Sequence, residues 1–303
     1  MQIIEHRKFF GFVPRQFPLG RHIPEIIRIA RKIVIRTLFR VGFYLFFGRA
    51  LFQFIRRICH VEYYRRSGQN FPPFPGHEID LYAVLYPARQ VGGDLYDFFI
   101  HENTLFFAIG DVSGKGIPAS LLMASTISLL RTLSSGSNSP SQIAYSLNNS
   151  IAERNEADMF VTFFIGMLDL RTGVMKYCNA GHTPPVLTSP DRTVAFFEMQ
   201  SDLPLGILKN HDYQEYTYRF VSGSGILLYT DGVTDAQNEK NEFYTRERLL
   251  EIVTQNQELH PREFIRSIIN DIQSHIKSHE LSDDLSMLTK NHKIYRFFFV
   301  IFK

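Results

Sequence analysis

The chain has 303 residues, 45 % of them hydrophobic and 21 % charged, which excludes wholesale disorder and leaves room for one large domain or two small ones. Its two cysteines, Cys59 and Cys178, exclude a disulfide framework and share no CxxC spacing, so each reads as a buried thiol. The formal net charge of +3 conceals a division: residues 1–76 hold 14 Lys/Arg against 3 Asp/Glu, and the remainder holds 19 against 27. A basic arm and an acidic body in one chain point to different partners for each.

Residues 1–76 read as a helical arm and linker. Arg28, Lys32, Arg36 and Arg40 recur every four residues, which keeps them near one stripe of a helix, with Ile26, Ile29, Ile33 and Leu38 between them. An arginine interrupts each apolar run near the start, which argues against a signal peptide. The apolar run 41–47 is far shorter than the roughly 20 residues of a spanning helix, and Arg40 and Arg49 flank it. Three readings stay open for the arm: a helix on an anionic lipid surface, a docking or dimerisation helix, or a helix packed on the body. No recognition motif accompanies the charge, so no nucleic-acid partner is expected. The expected location is the cytoplasm, at the membrane surface under the first of those three readings. Ser67-Gly68-Gln69-Asn70 and the Pro/Gly-rich stretch 71–76 have linker chemistry.

The body, residues 77–291, alternates strand and helix patterns. Strands are expected at 80–86, 95–100 and 104–112, then helices at 117–133 and 139–153, the second with Ser139 as N-cap and Pro140 in the first turn. Strands follow at 160–169 and 174–179, joined by a Leu-Arg-Thr-Gly hairpin turn, then at 185–188, 194–197, 214–220 and 225–229. Helices at 246–255 and 261–279 precede a last strand at 285–290. Blocks of strands with paired helices between them predict an α+β fold, a layered sandwich and not a doubly wound sheet. The Phe-rich tail, 292–303, has no assignment.

Four places set an aspartate beside glycine or a tight turn at a strand end. These are Gly92-Gly93-Asp94, Gly110-Asp111-Val112-Ser113-Gly114, Thr230-Asp231-Gly232-Val233-Thr234-Asp235 and Ser282-Asp283-Asp284-Leu285. Carboxylates projected from sheet edges supply the oxygen ligands that Mg²⁺ and Mn²⁺ take, and a metal relieves their mutual repulsion. Taken singly, each pair is more often a turn than a ligand. Gly114-Lys115-Gly116 lacks the full pattern of a nucleotide-binding P-loop.

In their order and context these segments, with Pro87-Ala88-Arg89-Gln90-Val91 before the first and Asn179-Ala180-Gly181-His182-Thr183-Pro184 between the second and third, closely resemble the bacterial SpoIIE/RsbU-like branch of the type-2C (PPM) protein phosphatases. The resemblance covers roughly residues 78–290. It implies an α/β/β/α sandwich, two antiparallel sheets flanked by helices, with a site for two ions (Mn²⁺ or Mg²⁺) at one edge. By that analogy Asp111 bridges both ions, the Val112 carbonyl and Asp94 hold one, and Asp231 with Asp283 hold the other. Only one of two adjacent side chains in an extended segment can face the site, and the resemblance favours Asp283 over Asp284, because the family ligand is usually followed by a residue preceding a hydrophobic-Ser/Thr pair. The implied activity is hydrolysis of phosphoserine or phosphothreonine by a two-metal hydroxide, on a phosphorylated anti-sigma-factor antagonist of the STAS type. His182 is either the acid that protonates the leaving oxygen or a structural histidine, and Asn179 is read the same way. Two other classes compete: a catalytically silent interaction module that keeps the fold, and a metal-dependent nucleotidyl cyclase. The four metal aspartates weigh against the first, and the Asn-Ala-Gly-His segment against the second.

Overall fold

The computed structural model describes residues 63–65, 80–86, 93–136, 138–153, 158–277 and 285–289. All of its elements lie in one compact unit, residues 55–303. The helical stripe read at 26–40, the apolar run 41–47 and the tail 292–303 lie outside the described residues, as do Asp283 and Asp284.

One layer is a five-stranded antiparallel sheet. Its members are β3 (Leu95–His101), β4 (Thr104–Val112), β5 (Val161–Asp169), β6 (Val174–Ala180) and β9 (Tyr216–Arg219), in that order. Two three-stranded sets make the other layer: β1 (Tyr63–Arg65), β2 (Asp80–Tyr86) and β11 (Leu285–Thr289) in the order β1-β2-β11, and β7 (Val186–Thr188), β8 (Val194–Phe196) and β10 (Gly225–Leu227) in the order β10-β7-β8. β10 lies beside β11, which joins the two sets. The stretch 1–76 read as arm thus contains a sheet strand, since Tyr63–Arg65 pairs antiparallel with Asp80–Tyr82.

The period-two pattern of β2 shows how the layers are glued. Leu81, Ala83 and Leu85 join Tyr96, Leu105, Phe107, Ile109, Phe164 and Tyr177 in the core between the sheets. Tyr82 and Val84 face the other way, into a second core with Phe264, Ile265, Ile268 and Ile272. Those isoleucines belong to α4 (Pro261–Ile276), which packs with α3 (Arg246–Asn256) on that outer face. On the far side of the five-stranded sheet lie α1 (Ile117–Ser134) and α2 (Pro140–Ala152). Their buried positions, Ala119, Met123, Ile127 and Leu130 in α1 and Ile143, Ala144, Leu147 and Ile151 in α2, recur at helical spacing. The result is the expected four-layer α/β/β/α sandwich.

Local chemistry sets the element ends. Ser139 caps α2 through a reciprocal box: Gln142 N donates to Ser139 Oγ, and Ser139 N donates to Gln142 Oε1. The β5–β6 turn closes on Asp169, whose Oδ1 accepts from Arg171 N and Thr172 N. Three elements stop at least two residues short of their pattern at one end. α4 ends at Ile276 because Lys277 adopts φ 54°. β9 starts at Tyr216 because Gln214 N is drawn to Asp202 Oδ2. β10 ends at Leu227, and the Tyr229 carbonyl two residues on is turned toward side chains of another loop.

Candidate active site

Strand parity puts two of the aspartates on one face. Leu105, Phe107 and Ile109 line the inter-sheet side of β4, and Asp111 is the next member of that row. Tyr96, Phe98 and Ile100 line the same side of β3, and Asp94 precedes them in step. Leu95 pairs with Gly110, so Asp94 and Asp111 stand at the same end of neighbouring strands. Asp94 is 1 % exposed, and Asp111 is half-buried.

The second layer reaches this end through Thr230. Its Oγ1 donates to Asp94 Oδ2 at 3.1 Å, and both side chains are buried. The next residue, Asp231, opens a 3₁₀ turn over Asp231–Val233, which is closed by Asp235 N and Thr234 Oγ1 on the Asp231 carbonyl. The Asp231 segment is thereby tied to Asp94 while its own carboxylate stays exposed. Asp283 and Asp284 lie outside the described residues. β11 begins directly after them, with Leu285 opposite Tyr86, the last residue of β2. Among the described residues, no three His, Cys, Asp or Glu side chains gather closely enough to hold a metal ion. The oxygen-only donor set of Asp94, Asp111, Asp231 and the Val112 carbonyl fits a hard divalent cation by its chemistry.

His182 lies between the layers and is 4 % exposed. Its Nε2 faces the Tyr229 carbonyl at 3.1 Å, and its Nδ1 faces Thr162 Oγ1 at 3.0 Å. A carbonyl only accepts, so Nε2 carries the proton and Nδ1 accepts from the threonine hydroxyl. Burial pushes the imidazole pKa down to about 4, against a smaller upward pull from the Tyr229 carbonyl. The ring is therefore neutral at neutral pH, with both nitrogens engaged. These are contacts of the kind a structural histidine makes. Thr162 pairs with Asp111, so the histidine links the Asp111 strand to the Tyr229–Asp231 segment.

Asn179 holds that histidine's backbone. Its Oδ1 accepts from His182 N at 2.9 Å, and its Nδ2 donates to His182 O at 3.1 Å. The turn between them passes through Gly181 at φ 76°, where a Cβ would lie 2.6 Å from Pro204 Cγ. Thr183 Oγ1 adds a 2.8 Å bond to the same Tyr229 carbonyl. Asn179, too, has the contacts of a structural residue.

Cys178 is fully buried on β6, and burial pushes its thiol up to about 12, far from a nucleophilic thiolate. Thr162, Thr230 and the Asp97–Arg131 pair carry structure that the motifs did not single out. Asp97 faces away from the inter-sheet core, and Arg131 of α1 grips it with Nε at 2.7 Å and Nη2 at 2.9 Å. The only sequence signal for Thr230 is a hydroxyl immediately before Asp231; Thr162 has none beyond its strand position.

Two antiparallel layers between helix pairs, with aspartates at strand ends along one edge, define a PP2C-type domain. Among solved structures of that class, the SiaA-PP2C domain of Pseudomonas aeruginosa superposes with a TM-score of 0.61 over 69 % of this chain and 84 % of that one, at 16 % identity. RsbX in complex with magnesium does so with a TM-score of 0.54 over 78 % of this chain and 100 % of that one, also at 16 %. The sequence model of the family described as Stage II sporulation protein E (SpoIIE) matches residues 101–293, and the chain belongs to that family. Phosphoserine phosphatase RsbU of Bacillus subtilis (strain 168) is 29 % identical over 217 residues, 71 % of this chain. The chain spans 64 % of the length of that relative.

Proposed function

We propose that this protein is a metal-dependent serine/threonine protein phosphatase whose substrate is a phosphorylated anti-sigma-factor antagonist of the STAS type. The observation that carries the reading is the Thr230–Asp94 hydrogen bond, which ties the Asp231 segment to the strand end shared by Asp94 and Asp111. Family membership and the relative named phosphoserine phosphatase support the activity.

Asp94, Asp111, the Val112 carbonyl, Asp231 and Asp283 or Asp284 would hold two Mg²⁺ or Mn²⁺ ions; RsbX, similar in fold, is itself described in complex with magnesium. When bound, such ions lower the pKa of water to near neutrality and offset charge on phosphoryl oxygens. The chain's own residues position this apparatus. Thr230 orients the Asp94 carboxylate, and Thr162 with neutral His182 props the Tyr229 carbonyl and so sets the approach of Asp231. In this reading His182 acts as a positioning residue, with its N–H on the Tyr229 carbonyl. Cys178, buried and held as a thiol, supplies no nucleophile in this reading.

Hydrolysis of para-nitrophenyl phosphate and of a phosphoserine peptide, with Mn²⁺ or Mg²⁺ and then with EDTA, tests the reading. Turnover that requires the metal and disappears in Asp111→Asn supports it. Absence of turnover with either ion would leave a silent interaction module that keeps the fold.

A further inference from the structure

Thr245 is the one β-branched residue with a positive φ among the described residues. Its φ of 70° and ψ of 159° lie in a region essentially confined to glycine, because a Cβ clashes there with the neighbouring backbone. Strain of this kind persists only where the surroundings over-determine the backbone, and such positions gather at functional sites. Thr245 stands at the start of α3, and the segment its N–H bonds is the one that bears Asp231.

Three consecutive residues grip that segment. Tyr244 N donates to Ala236 O at 2.9 Å, and Thr245 N donates to Thr234 O at 3.0 Å. Arg246 reaches the other end, where it hydrogen-bonds the hydroxyl of the buried Tyr229. Its guanidinium also lies 4.0 Å from the centre of the Phe196 ring, a cation–π contact that fixes it over β8. The Asp231 turn is thus held at residues 229, 234 and 236 by one stretch of chain, and at Thr230 by Asp94.

That stretch is in turn fixed to α4. Asp271 Oδ2 accepts from the Tyr244 hydroxyl and, at 2.9 Å, from Arg248 Nε, while its Oδ1 accepts from Arg248 Nη2 at 3.0 Å. A guanidinium only donates, so Arg248 Nη1 donates to His275 Nδ1 at 3.1 Å, and His275 Nε2 donates to the Glu242 carbonyl at 3.0 Å. Tyr244 is 1 % exposed and shares the outer core with Val233 and Ala236. A two-pronged guanidinium on a carboxylate, with a buried phenol on the same group, is a stiffer anchor than a surface ion pair. The groups behind a metal ligand set how well it binds. Asp231 is exposed, so its placement comes from the backbone that carries it.

We infer that residues 244–248 form a clamp that positions Asp231 for a divalent cation, with Tyr244, Arg246, Arg248 and Asp271 as positioning residues. The inference rests on the phosphatase reading above and deepens it. Thr245 is strained because both of its neighbours are anchored while its own N–H stays on Thr234. Asp94 and Asp111 stand at strand ends of the other layer, so the effect of the clamp falls mainly on the ion that Asp231 holds.

The test is a calorimetric titration of the full chain with Mn²⁺, which reads metal binding without turnover. The binding that Asp231→Asn removes belongs to the Asp231 ion. Arg246→Gln, Tyr244→Phe and Arg248→Met should each weaken that binding about tenfold and leave any other Mn²⁺ binding within about twofold. Arg248→Lys keeps the charge and should recover part of the loss. Thr245→Gly should bind as the unaltered protein does, since glycine adopts the same backbone freely. Excess Mn²⁺ should restore phosphoester hydrolysis in Arg246→Gln. Arg246 is exposed, so that variant carries the test if Arg248→Met does not fold. Unchanged affinity for the Asp231 ion in Arg246→Gln and Tyr244→Phe overturns the inference and leaves the phosphatase reading standing. Equal weakening of all Mn²⁺ binding, or binding that Asp231→Asn leaves untouched, does the same. An unaltered chain that binds no Mn²⁺ removes the phosphatase reading and the clamp with it.

Discussion

Thr230 donates a hydrogen bond of 3.1 Å to Asp94, 136 positions away in the chain, and neither side chain reaches solvent. Asp94 leads into the five-stranded sheet, and Thr230 follows β10 of the other layer. One hydroxyl therefore sets the position of two proposed metal-binding segments relative to each other.

Thr230→Val keeps the shape of the side chain and removes the hydroxyl. The expected loss is about 1.5–3 kcal/mol of stability, the range for a bond to a charged group. Activity or apparent Mn²⁺ affinity should fall about 10- to 100-fold, as when a ligand's supporting contact is lost. Urea denaturation and a Mn²⁺ titration of turnover check the two effects, and Thr230→Ser should restore most of both.

Asp111→Asn should leave the fold intact and reduce phosphoester hydrolysis to below about one hundredth, because a neutral amide binds a hard cation poorly. Cys178→Ala should retain most activity despite its core position. Circular dichroism and steady-state rates on the two proteins check this; a dead Cys178→Ala beside an active Asp111→Asn would refute the metal mechanism.

His182 predicts an acid-sensitive stability. Its folded pKa of about 4 lies below the ordinary 6.5, so the unfolded chain binds the extra proton between those values. Its contribution is fully present above about pH 6.5 and is lost as pH falls toward 4, by about 3 kcal/mol in all. Urea titrations at pH 7, 6, 5 and 4 should show that slope, and His182→Gln should flatten it at the cost of stability at pH 7.

Arg131→Met strips the guanidinium from a carboxylate, Asp97, that is 6 % exposed. A loss of about 2 kcal/mol is expected, less than for a fully buried pair because Arg131 itself is 65 % exposed. Adding Asp97→Leu should recover part of it, since two apolar groups need no partners. Thermal or urea unfolding of the single and double variants measures the difference.

The basic stripe Arg28, Lys32, Arg36 and Arg40 makes a prediction for the arm from sequence alone. If the arm attaches to lipid at roughly 1 kcal/mol per basic residue, the full chain should sediment with phosphatidylserine vesicles at low salt and much less at high salt. Replacing the four residues by Gln should abolish the effect. Equal sedimentation with anionic and neutral vesicles would leave dimerisation, readable by analytical ultracentrifugation.

The sequence by itself determined the layers and the identity of the acidic segments. Period-two rows such as Leu81, Ala83 and Leu85, and helical spacing in α4, are local properties of the chain, as are glycine and aspartate at strand ends. Even the shared inward row of Asp94 and Asp111 follows from parity once the strands are placed. Tertiary structure alone decided the rest, because those choices depend on partners far away in the chain. Nothing in the sequence names Tyr229 and Thr162 as the partners of the two ring nitrogens of His182. Arg131 carries no mark of its grip on Asp97, 34 positions away. Tyr63–Arg65 falls in a stretch whose basic charge reads as arm, yet its main-chain groups pair with Asp80–Tyr82. Charge and periodicity describe what a segment can face, whereas a hydrogen-bond ladder or a buried carbonyl fixes what it does face.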